Sequence, residues 1–395
     1  MAVPLLDVNA QNHPLEAGLT AAFQRVLKHG MFILGKEVDE FEAEMRQFLG
    51  VKHALGVSSG TDALVLALMA LDLQPGDEVL CPAFTFFATA GSVARVGAVP
   101  VFVDVCPVCF NLDVGAAKAK LTSRTKAIMP VHLFGQSADM EAIQALAQEH
   151  GLAVVEDAAQ SLGAAYKGRQ SGTIGAFGAY SFFPSKNLGG LGDAGLLATN
   201  NDKLGEYAKI LRVHGSAPKY YHHHIGGNFR IDALQAAFLS VKLKHYQGYT
   251  HKRQANADYY ASHLAKVPGI VQASEAHCRC ASEQAAALDA AGSAIVLPSA
   301  YKHNDHIWNQ YTLRVRHGRR DALRDHLLAR KIGCEVYYPV TLDQQKCFAH
   351  LPASSLKGCE VSHQLAAEVL SIPIYPELTD AQKDEVIEAI TSFVV

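Results

Sequence analysis

The sequence has little net charge and no apolar run of membrane-spanning length. Its 35 Lys and Arg residues nearly balance its 38 Asp and Glu residues, which leaves a formal charge of −3. Without a basic excess, neither a nucleic-acid partner nor a polybasic membrane patch is expected. No apolar run approaches the ~18 to 20 residues needed to cross a bilayer, so we expect no membrane partner.

Cysteine is also modest, at eight in 395 residues. The opening residues lack the basic and apolar segments of an export signal, so we expect a cytoplasmic protein with reduced thiols. The pair Cys106 and Cys109 follows a predicted strand, and Cys278 and Cys280 lack the spacing of a zinc knuckle. We therefore predict that all four are free thiols. The adjacent histidines 222–224 cannot easily direct three rings at one ion, so we predict no metal site there either.

The length predicts two or three domains, and the pattern predicts the α/β class. Between residues 54 and 200, short apolar runs alternate with amphipathic stretches, which is typical of a mainly parallel sheet covered by helices. We predict a large domain over 1–245, including two helices within 15–49, and a smaller α+β domain over 246–395. Residues 272–305 show little periodicity and are predicted to be a surface insertion.

Individual elements of the second half are predicted from shorter patterns. Apolar alternation predicts strands at TLRVR, CEVYY and LSIPIY. Helical patterns cover 232–266, 319–331, 363–370 and 380–393.

The segment from Ser58 to Asp62 lies between a predicted strand and the helical pattern DALVLALMAL. A helix N-terminus offers unpaired N–H groups, and small hydroxyl residues allow a phosphate to approach closely. The alternative is an ordinary N-cap, in which Ser59 or Thr61 satisfies the first helical turn. Both interpretations stay open for this segment alone.

Two acids, Glu156 and Asp157, end the apolar strand LAVV. Ligands of open α/β sheets bind at the carboxyl ends of strands, so both acids are predicted to face a site. Such a carboxylate could keep a heterocyclic nitrogen protonated. The alternative is an acid that caps the following turn.

Lys186 follows another predicted strand and precedes a glycine-rich run. A desolvated lysine has a lowered pKa and can form a Schiff base with a carbonyl, although a solvated surface lysine is the commoner case. The glycines at 190, 192 and 195 match a dinucleotide-binding spacing. A strand rather than a helix is predicted after them, so we reject a nicotinamide cofactor.

Taken together, a phosphate cradle, a strand-end acid and a lysine are the three anchors that pyridoxal 5′-phosphate requires. Six segments, in order and spacing, resemble the DegT-type family of pyridoxal phosphate-dependent nucleotide-sugar aminotransferases. They are GVSSGTDALVLALMAL, PAFTFFATAGSV, VEDAAQSLGA, SFFPSKNLGGLGDAG, GGNFRIDALQAA and LSIPIYPELT. The resemblance implies the aspartate aminotransferase-like fold and covers nearly the whole chain.

The resemblance implies roles for residues around the cofactor. Lys186 would form the Schiff base, Asp157 would pair with the ring nitrogen, and Gln160 would contact the phenolic oxygen. The phosphate would be bound by Thr61, Ser181 and the backbone at Gly60, while Phe86 would stack on the ring.

Further residues are implied to reach the substrate or a second subunit. Asn228 resembles a residue that contacts the phosphate of a neighbouring subunit, which implies a homodimer with shared active sites. Arg230 is similar to an arginine near the sugar, and Tyr338 is expected to bind substrate. The segment Tyr337–Asp343 departs from the usual His-Tyr-Pro pattern, so its substrate contacts cannot be transferred from the family.

The implied activity is transfer of an amino group, with glutamate as donor and pyridoxamine 5′-phosphate as the alternate cofactor form. The acceptor would be the C3 ketone of a nucleotide sugar such as a UDP-linked 3-oxo-glucuronate. Alternatives are a C4 aminotransferase of a 4-keto-6-deoxy sugar and a non-catalytic regulatory protein. Related dehydratases carry histidine where Lys186 stands, which argues against a sugar dehydratase.

Overall fold

The computed structural model describes residues 2–278, 280 and 293–394. The helices are α1 Val8–Asn12, α2 Glu16–His29, α3 Lys36–Leu49, α4 Gly60–Ala70, α5 Ala88–Arg95, α6 Val114–Ala119, α7 Met140–His150, α8 Asp202–Leu211, α9 Ala233–Leu243, α10 Tyr246–Leu264, α11 Arg320–Ala329, α12 Ala353–Leu356, α13 Glu360–Glu368 and α14 Asp380–Val394. Short 3-10 helices cover His13–Leu15, Leu133–Gly135, Glu275–His277, Leu342–Gln344 and Lys346–Phe348.

The strands form one large and two smaller sheets within the described residues. They are β1 His53–Val57, β2 Glu78–Pro82, β3 Val99–Val103, β4 Thr125–Ile128, β5 Ala153–Asp157, β6 Ala165–Tyr166, β7 Arg169–Gln170, β8 Phe177–Ser181, β9 Gly195–Thr199, β10 Ile270–Gln272, β11 Ile295–Leu297, β12 Asn304–Asp305, β13 Tyr311–Val315 and β14 Val369–Ile372.

The large sheet has the strand order β1-β9-β8-β5-β4-β2-β3. Every neighbouring pair is parallel except those involving β9, which runs antiparallel to both β1 and β8. Each strand corresponds to one of the seven apolar runs between residues 53 and 200. The predicted α/β class with a mainly parallel sheet is therefore confirmed, and the carboxyl ends of the parallel strands meet at one edge.

Helix ends in this region follow local capping rules. The Asp139 side chain accepts a hydrogen bond from the Ala142 N–H at 3.2 Å and caps α7 at its N-terminus. Gly151 closes the same helix in the left-handed region, with φ of 66°. The helices predicted within 15–49 are α2 and α3, which pack against α9.

The second half contains a four-stranded sheet in the order β10-β11-β13-β14. The predicted strands TLRVR and LSIPIY correspond to β13 and β14. The prediction of a strand at CEVYY is wrong, because only Glu335 there makes a bridge, to Ser371, and the chain then turns towards the large sheet. The helical stretch predicted for 232–266 is interrupted, since α9 ends at Leu243 and α10 begins at Tyr246.

Residues 272–305 are not wholly a surface insertion, which corrects the prediction. Strand β11, Ile295–Leu297, is buried and pairs with both β10 and β13. Its three residues are too short a run to show a period in the sequence. Most of the alanine-rich part of this segment lies outside the described residues.

Among the helices of the described ranges, none is both long and apolar enough to cross a membrane.

Candidate active site

A cavity of about 470 Å³ opens at the carboxyl edge of the large sheet. Its walls come from strand ends and the turns after them, and include Asp157 at the end of β5 and Lys186 after β8. Other predicted residues in its lining are Gly60, Thr61, Phe86, Gln160, Ser181 and Tyr338. Residues as far apart in the sequence as Ser59 and Tyr338 thus share one cavity.

One end of the cavity is formed by the start of α4. Ser59 caps this helix, because its Oγ accepts the Asp62 N–H at 3.0 Å. Thr61 also lines the cavity and is not the cap, so the capping interpretation applies to Ser59, and phosphate binding by Thr61 stays a prediction. A Cβ on Gly60 would lie 2.7 Å from the Cβ of Ser181, so glycine is required for α4 to approach the end of β8.

Asp157 lies deeper in the cavity and is buried. Its Oδ2 accepts the Thr89 hydroxyl at 2.8 Å, and its Oδ1 accepts the Ala159 N–H at 3.2 Å. Burial raises the pKa of Asp157, while these two hydrogen bonds and the positive charge of Lys186 act in the opposite direction. A cationic group in the cavity would therefore favour the ionised carboxylate.

Glu156 does not line the cavity, which corrects the prediction that both acids face it. Successive strand residues point to opposite faces, so only one of two neighbours can do so. The Glu156 carboxylate accepts the backbone N–H groups of Gly172, Ile174 and Gly175 at 2.6 to 2.7 Å. It also accepts His132 Nε2 at 2.8 Å, because His132 Nδ1 is already an acceptor for Ala138 N–H.

Lys186 is half-buried at the cavity wall. Burial lowers the pKa of its amine to about 8, although the negative charge of Asp157 works in the opposite direction. A larger fraction of the amine is therefore neutral near physiological pH than for a solvated lysine, and a neutral amine is the form that attacks a carbonyl.

An amide and two aromatic rings complete the wall. Gln160 Oε1 accepts the Phe134 N–H at 2.7 Å, and its Nε2 donates to the Tyr338 hydroxyl at 3.1 Å. Phe86 is 57% exposed, and its ring centroid lies 6.1 Å from that of Tyr338. The open face of Phe86 is available to a planar ligand.

Asn228 and Arg230 are not part of the cavity lining. Asn228 is exposed and bridges Val213, while Arg230 bridges Val57 at the end of β1. Arg230 Nε is buried without a hydrogen-bond partner in the described chain. The structure thus brings eight of the predicted residues together and leaves these two outside the cavity lining.

Sequence reasoning missed Thr89 and Tyr337. Thr89 holds Asp157 although 68 residues separate them, and Tyr337 lines the cavity beside Tyr338. Thr89 had a weak signal, because it lies at the start of the helix after β2, near the same sheet edge. Tyr337 also had a signal, because it begins the segment 337–343 that departs from the family pattern.

The described residues fit pyridoxal phosphate. The helix N-terminus with Thr61 and Ser181 suits a phosphate, the buried Asp157 suits a protonated ring nitrogen, and the Lys186 amine suits an aldehyde. The cavity also has the size of a small-molecule site.

Residues 15–391 match the model of the DegT/DnrJ/EryC1/StrS aminotransferase family. The chain is 43% identical over 393 residues to a Geobacillus stearothermophilus protein named "Pleiotropic regulatory protein", covering 100% of this chain and 99% of that one. It is 41% identical over 381 residues to the UDP-N-acetyl-3-dehydro-alpha-D-glucosamine 3-aminotransferase of Acidithiobacillus ferrooxidans, covering 96% and 95%.

A solved structure gives the same result for the fold. The structure of S. venezuelae DesV in complex with a ketimine intermediate superimposes with a TM-score of 0.89 at 39% identity. The alignment covers 100% of this chain and 98% of that one.

Proposed function

Because the chain belongs to the DegT/DnrJ/EryC1/StrS aminotransferase family, we propose that it transfers an amino group to the ketone of a nucleotide-linked oxo-sugar. Four predictions are confirmed: the family, the fold, the aminotransferase class of enzyme, and pyridoxal phosphate as the cofactor. The observation that carries the proposal is the joint lining of one cavity by Lys186, Asp157 and the N-terminus of α4.

Lys186 carries the proton transfers in this proposal. Bound pyridoxal phosphate supplies an aldehyde for Schiff-base chemistry and a ring that withdraws electrons from the reacting carbon. In the first half-reaction the free Lys186 amine would move a proton from the α-carbon of the amino donor to the C4′ carbon of the cofactor, and in the second it would move a proton from C4′ to the former ketone carbon of the acceptor. Its lowered pKa of about 8 allows it to act as both base and acid near neutral pH.

The other cavity residues orient the cofactor. Asp157 holds the ring nitrogen protonated, and Thr89 fixes the carboxylate in place through its 2.8 Å hydrogen bond. Gln160 contacts the phenolic oxygen with the amide that Phe134 and Tyr338 position. We place the phosphate at Thr61, Ser181 and the Gly60 N–H, and the stacked ring on Phe86.

For the substrate, we propose a UDP-linked sugar with its ketone at C3, and glutamate as the amino donor. The relative from Acidithiobacillus ferrooxidans, whose name specifies a UDP sugar and a 3-amino product, supports this choice at 41% identity. Tyr338 and Arg230 would contact the sugar, since one lines the cavity and the other lies next to β1 with an unpartnered Nε. A C4 ketone is the second candidate acceptor.

We also propose a cytoplasmic homodimer in which each cavity is completed by the partner. Exposed apolar side chains include Phe183, which lines the cavity, and Phe87, which follows the lining residue Phe86. In the segment before Asn228, Tyr220 is 78% and Ile225 is 90% exposed. Asn228 follows in the same segment and would reach the partner's phosphate, because it is exposed and outside the cavity of its own chain.

The division into a large domain over 1–245 and a small domain over 246–395 remains a proposal. It places the boundary between α9, which ends at Leu243, and α10, which begins at Tyr246. The four-stranded sheet then lies within the small domain.

A regulatory protein without catalysis is the competing proposal, and the name of the Geobacillus stearothermophilus relative favours it. Such a protein could bind cofactor without needing a proton-transferring amine. Adding glutamate to the purified protein distinguishes the two, because only an aminotransferase converts the aldehyde form and loses its visible absorbance.

The acceptor is tested with the protein in its pyridoxamine form. It is mixed with a panel of 3-oxo and 4-oxo nucleotide sugars, and recovery of the aldehyde form is followed by absorbance. We expect the fastest recovery with a UDP-linked 3-oxo sugar. Faster recovery with a 4-oxo sugar would move the proposed ketone to C4, and no recovery with any sugar would overturn the proposed acceptor class.

A further inference from the structure

Four cysteines from two distant segments meet in the structure. Cys106 and Cys109 lie in the turn after β3, and Cys278 and Cys280 lie between β10 and β11. All four Sγ atoms are within 4.8 Å of one another. The fold brings together two pairs that are about 170 residues apart, for which the sequence predicts free thiols and no metal site.

The distances fit an ion-sized gap better than a sulfur–sulfur bond. Cys106 Sγ lies 3.5 Å from Cys278 Sγ, and Cys109 Sγ lies 3.7 Å from Cys280 Sγ. A disulfide requires about 2.0 Å. Sulfurs at the corners of a zinc tetrahedron with Zn–S bonds of about 2.3 Å are about 3.8 Å apart.

The surroundings of the cluster are closed. Cys106, Cys109 and Cys278 are buried, and Cys280 is half-buried. Four cysteines screened from solvent are typical of a structural metal site.

Two further groups suit a charged sulfur cluster. The Tyr301 hydroxyl packs in the same cluster and is buried without a hydrogen-bond partner in the described chain. A tyrosine hydroxyl can donate a hydrogen bond to a nearby sulfur. Arg314 Nη1 donates to the Pro107 carbonyl at 2.7 Å and fixes the turn that carries the first pair.

We propose that Cys106, Cys109, Cys278 and Cys280 bind a structural zinc ion as a tetrathiolate. Zinc fits because four sulfur ligands in a closed tetrahedron favour a soft or borderline ion and leave no open position for catalysis. Binding displaces the remaining thiol protons to solvent and changes no oxidation state. The ion would join the turn after β3 to the connection between β10 and β11, and none of its ligands lines the cofactor cavity.

The test is the metal content of the untagged holoenzyme, purified without chelator or added metal and measured by mass spectrometry. We expect one zinc per chain in the wild type and in the control Cys334→Ser, whose thiol lies outside the cluster. The double variant Cys278→Ser/Cys280→Ser should lose the zinc, unfold at lower temperature and keep its cofactor content.

A second measurement uses protein from cells grown with cobalt in place of zinc. Tetrahedral sulfur coordination gives cobalt absorption bands at longer wavelengths than the cofactor absorbs. These bands should appear in the wild type and in Cys334→Ser, and be absent from Cys280→Ser.

Several outcomes would overturn the site. They are a wild type without metal, disulfides among the four cysteines, iron in place of zinc, or zinc retained in full by the double variant. If the double variant does not fold, two measurements on the wild type still test the proposal. They are its zinc content and the number of reactive thiols after it is unfolded.

Discussion

Two regions on opposite sides of strand β5 use neighbouring carboxylates in opposite ways. On the side away from the cavity, the Glu156 oxygens accept hydrogen bonds from three backbone N–H groups and from His132. In the cavity, two donors of the described ranges hold Asp157, and burial raises its pKa. Asp157, which can accept further hydrogen bonds, therefore faces the cavity. Glu156, whose oxygens already accept four hydrogen bonds, holds the loop at 172–175.

The largest expected effect tests the cavity itself. Lys186→Ala should reduce amino transfer by ~10³-fold or more, because the amine that moves protons is lost. Steady-state rates with glutamate and the accepted sugar measure it. Lys203→Ala, at an exposed position on α8, is the matched control and should keep the wild-type rate. Near wild-type turnover in Lys186→Ala would refute the assigned role.

Asp157→Asn should slow turnover by about 10²-fold, because an amide accepts from Thr89 but cannot hold the ring nitrogen charged. Absorbance and cofactor content should show that the variant still binds pyridoxal phosphate. Asp258→Asn, at an exposed acid of α10, serves as the control. Full activity in Asp157→Asn would contradict the role assigned to Asp157 at the ring nitrogen.

Glu156→Gln should act on stability more than on chemistry. The amide replaces an acceptor oxygen with a donor opposite backbone N–H groups, which should lower the free energy of unfolding by about 2 to 4 kcal/mol. Denaturant unfolding of holoenzyme and initial rates measure the two effects. A loss of turnover as large as that of Asp157→Asn, with stability unchanged, would contradict the comparison.

The smallest expected effect depends on pH. In cofactor-free protein the Lys186 pKa of about 8 lies below its ordinary value of 10.5, so the unfolded chain binds more protons between these values. The wild type should therefore gain stability relative to Lys186→Met as pH rises through this window. Lys186→Met should be more stable by roughly 1 to 3 kcal/mol below pH 8, and the difference should vanish above pH 10.5. An unchanging difference would mean that the lysine is not desolvated.

The parts of the site that the sequence predicts are those carried by local patterns. Lys186, Asp157 and the start of α4 each follow an apolar strand, and parallel strands place their ends together. Contacts between distant segments are not visible locally. The pairing of Thr89 with Asp157, the burial of β11 and the meeting of the four cysteines all depend on such contacts.

The prediction of two acids at one site failed for a related reason. The apolar pattern shows that strand β5 ends at these two acids. It does not show which of the two side chains points to the cavity. The loop at 172–175, which selects Glu156, follows β5 by fifteen residues and has no recognisable motif for binding a carboxylate.

The Schiff-base role of Lys186 can be tested by reducing the holoenzyme with borohydride, digesting it and locating the modified peptide by mass spectrometry. We expect a phosphopyridoxyl group on Lys186 alone. A modification on another lysine, or none on a protein that contains the cofactor, would contradict it.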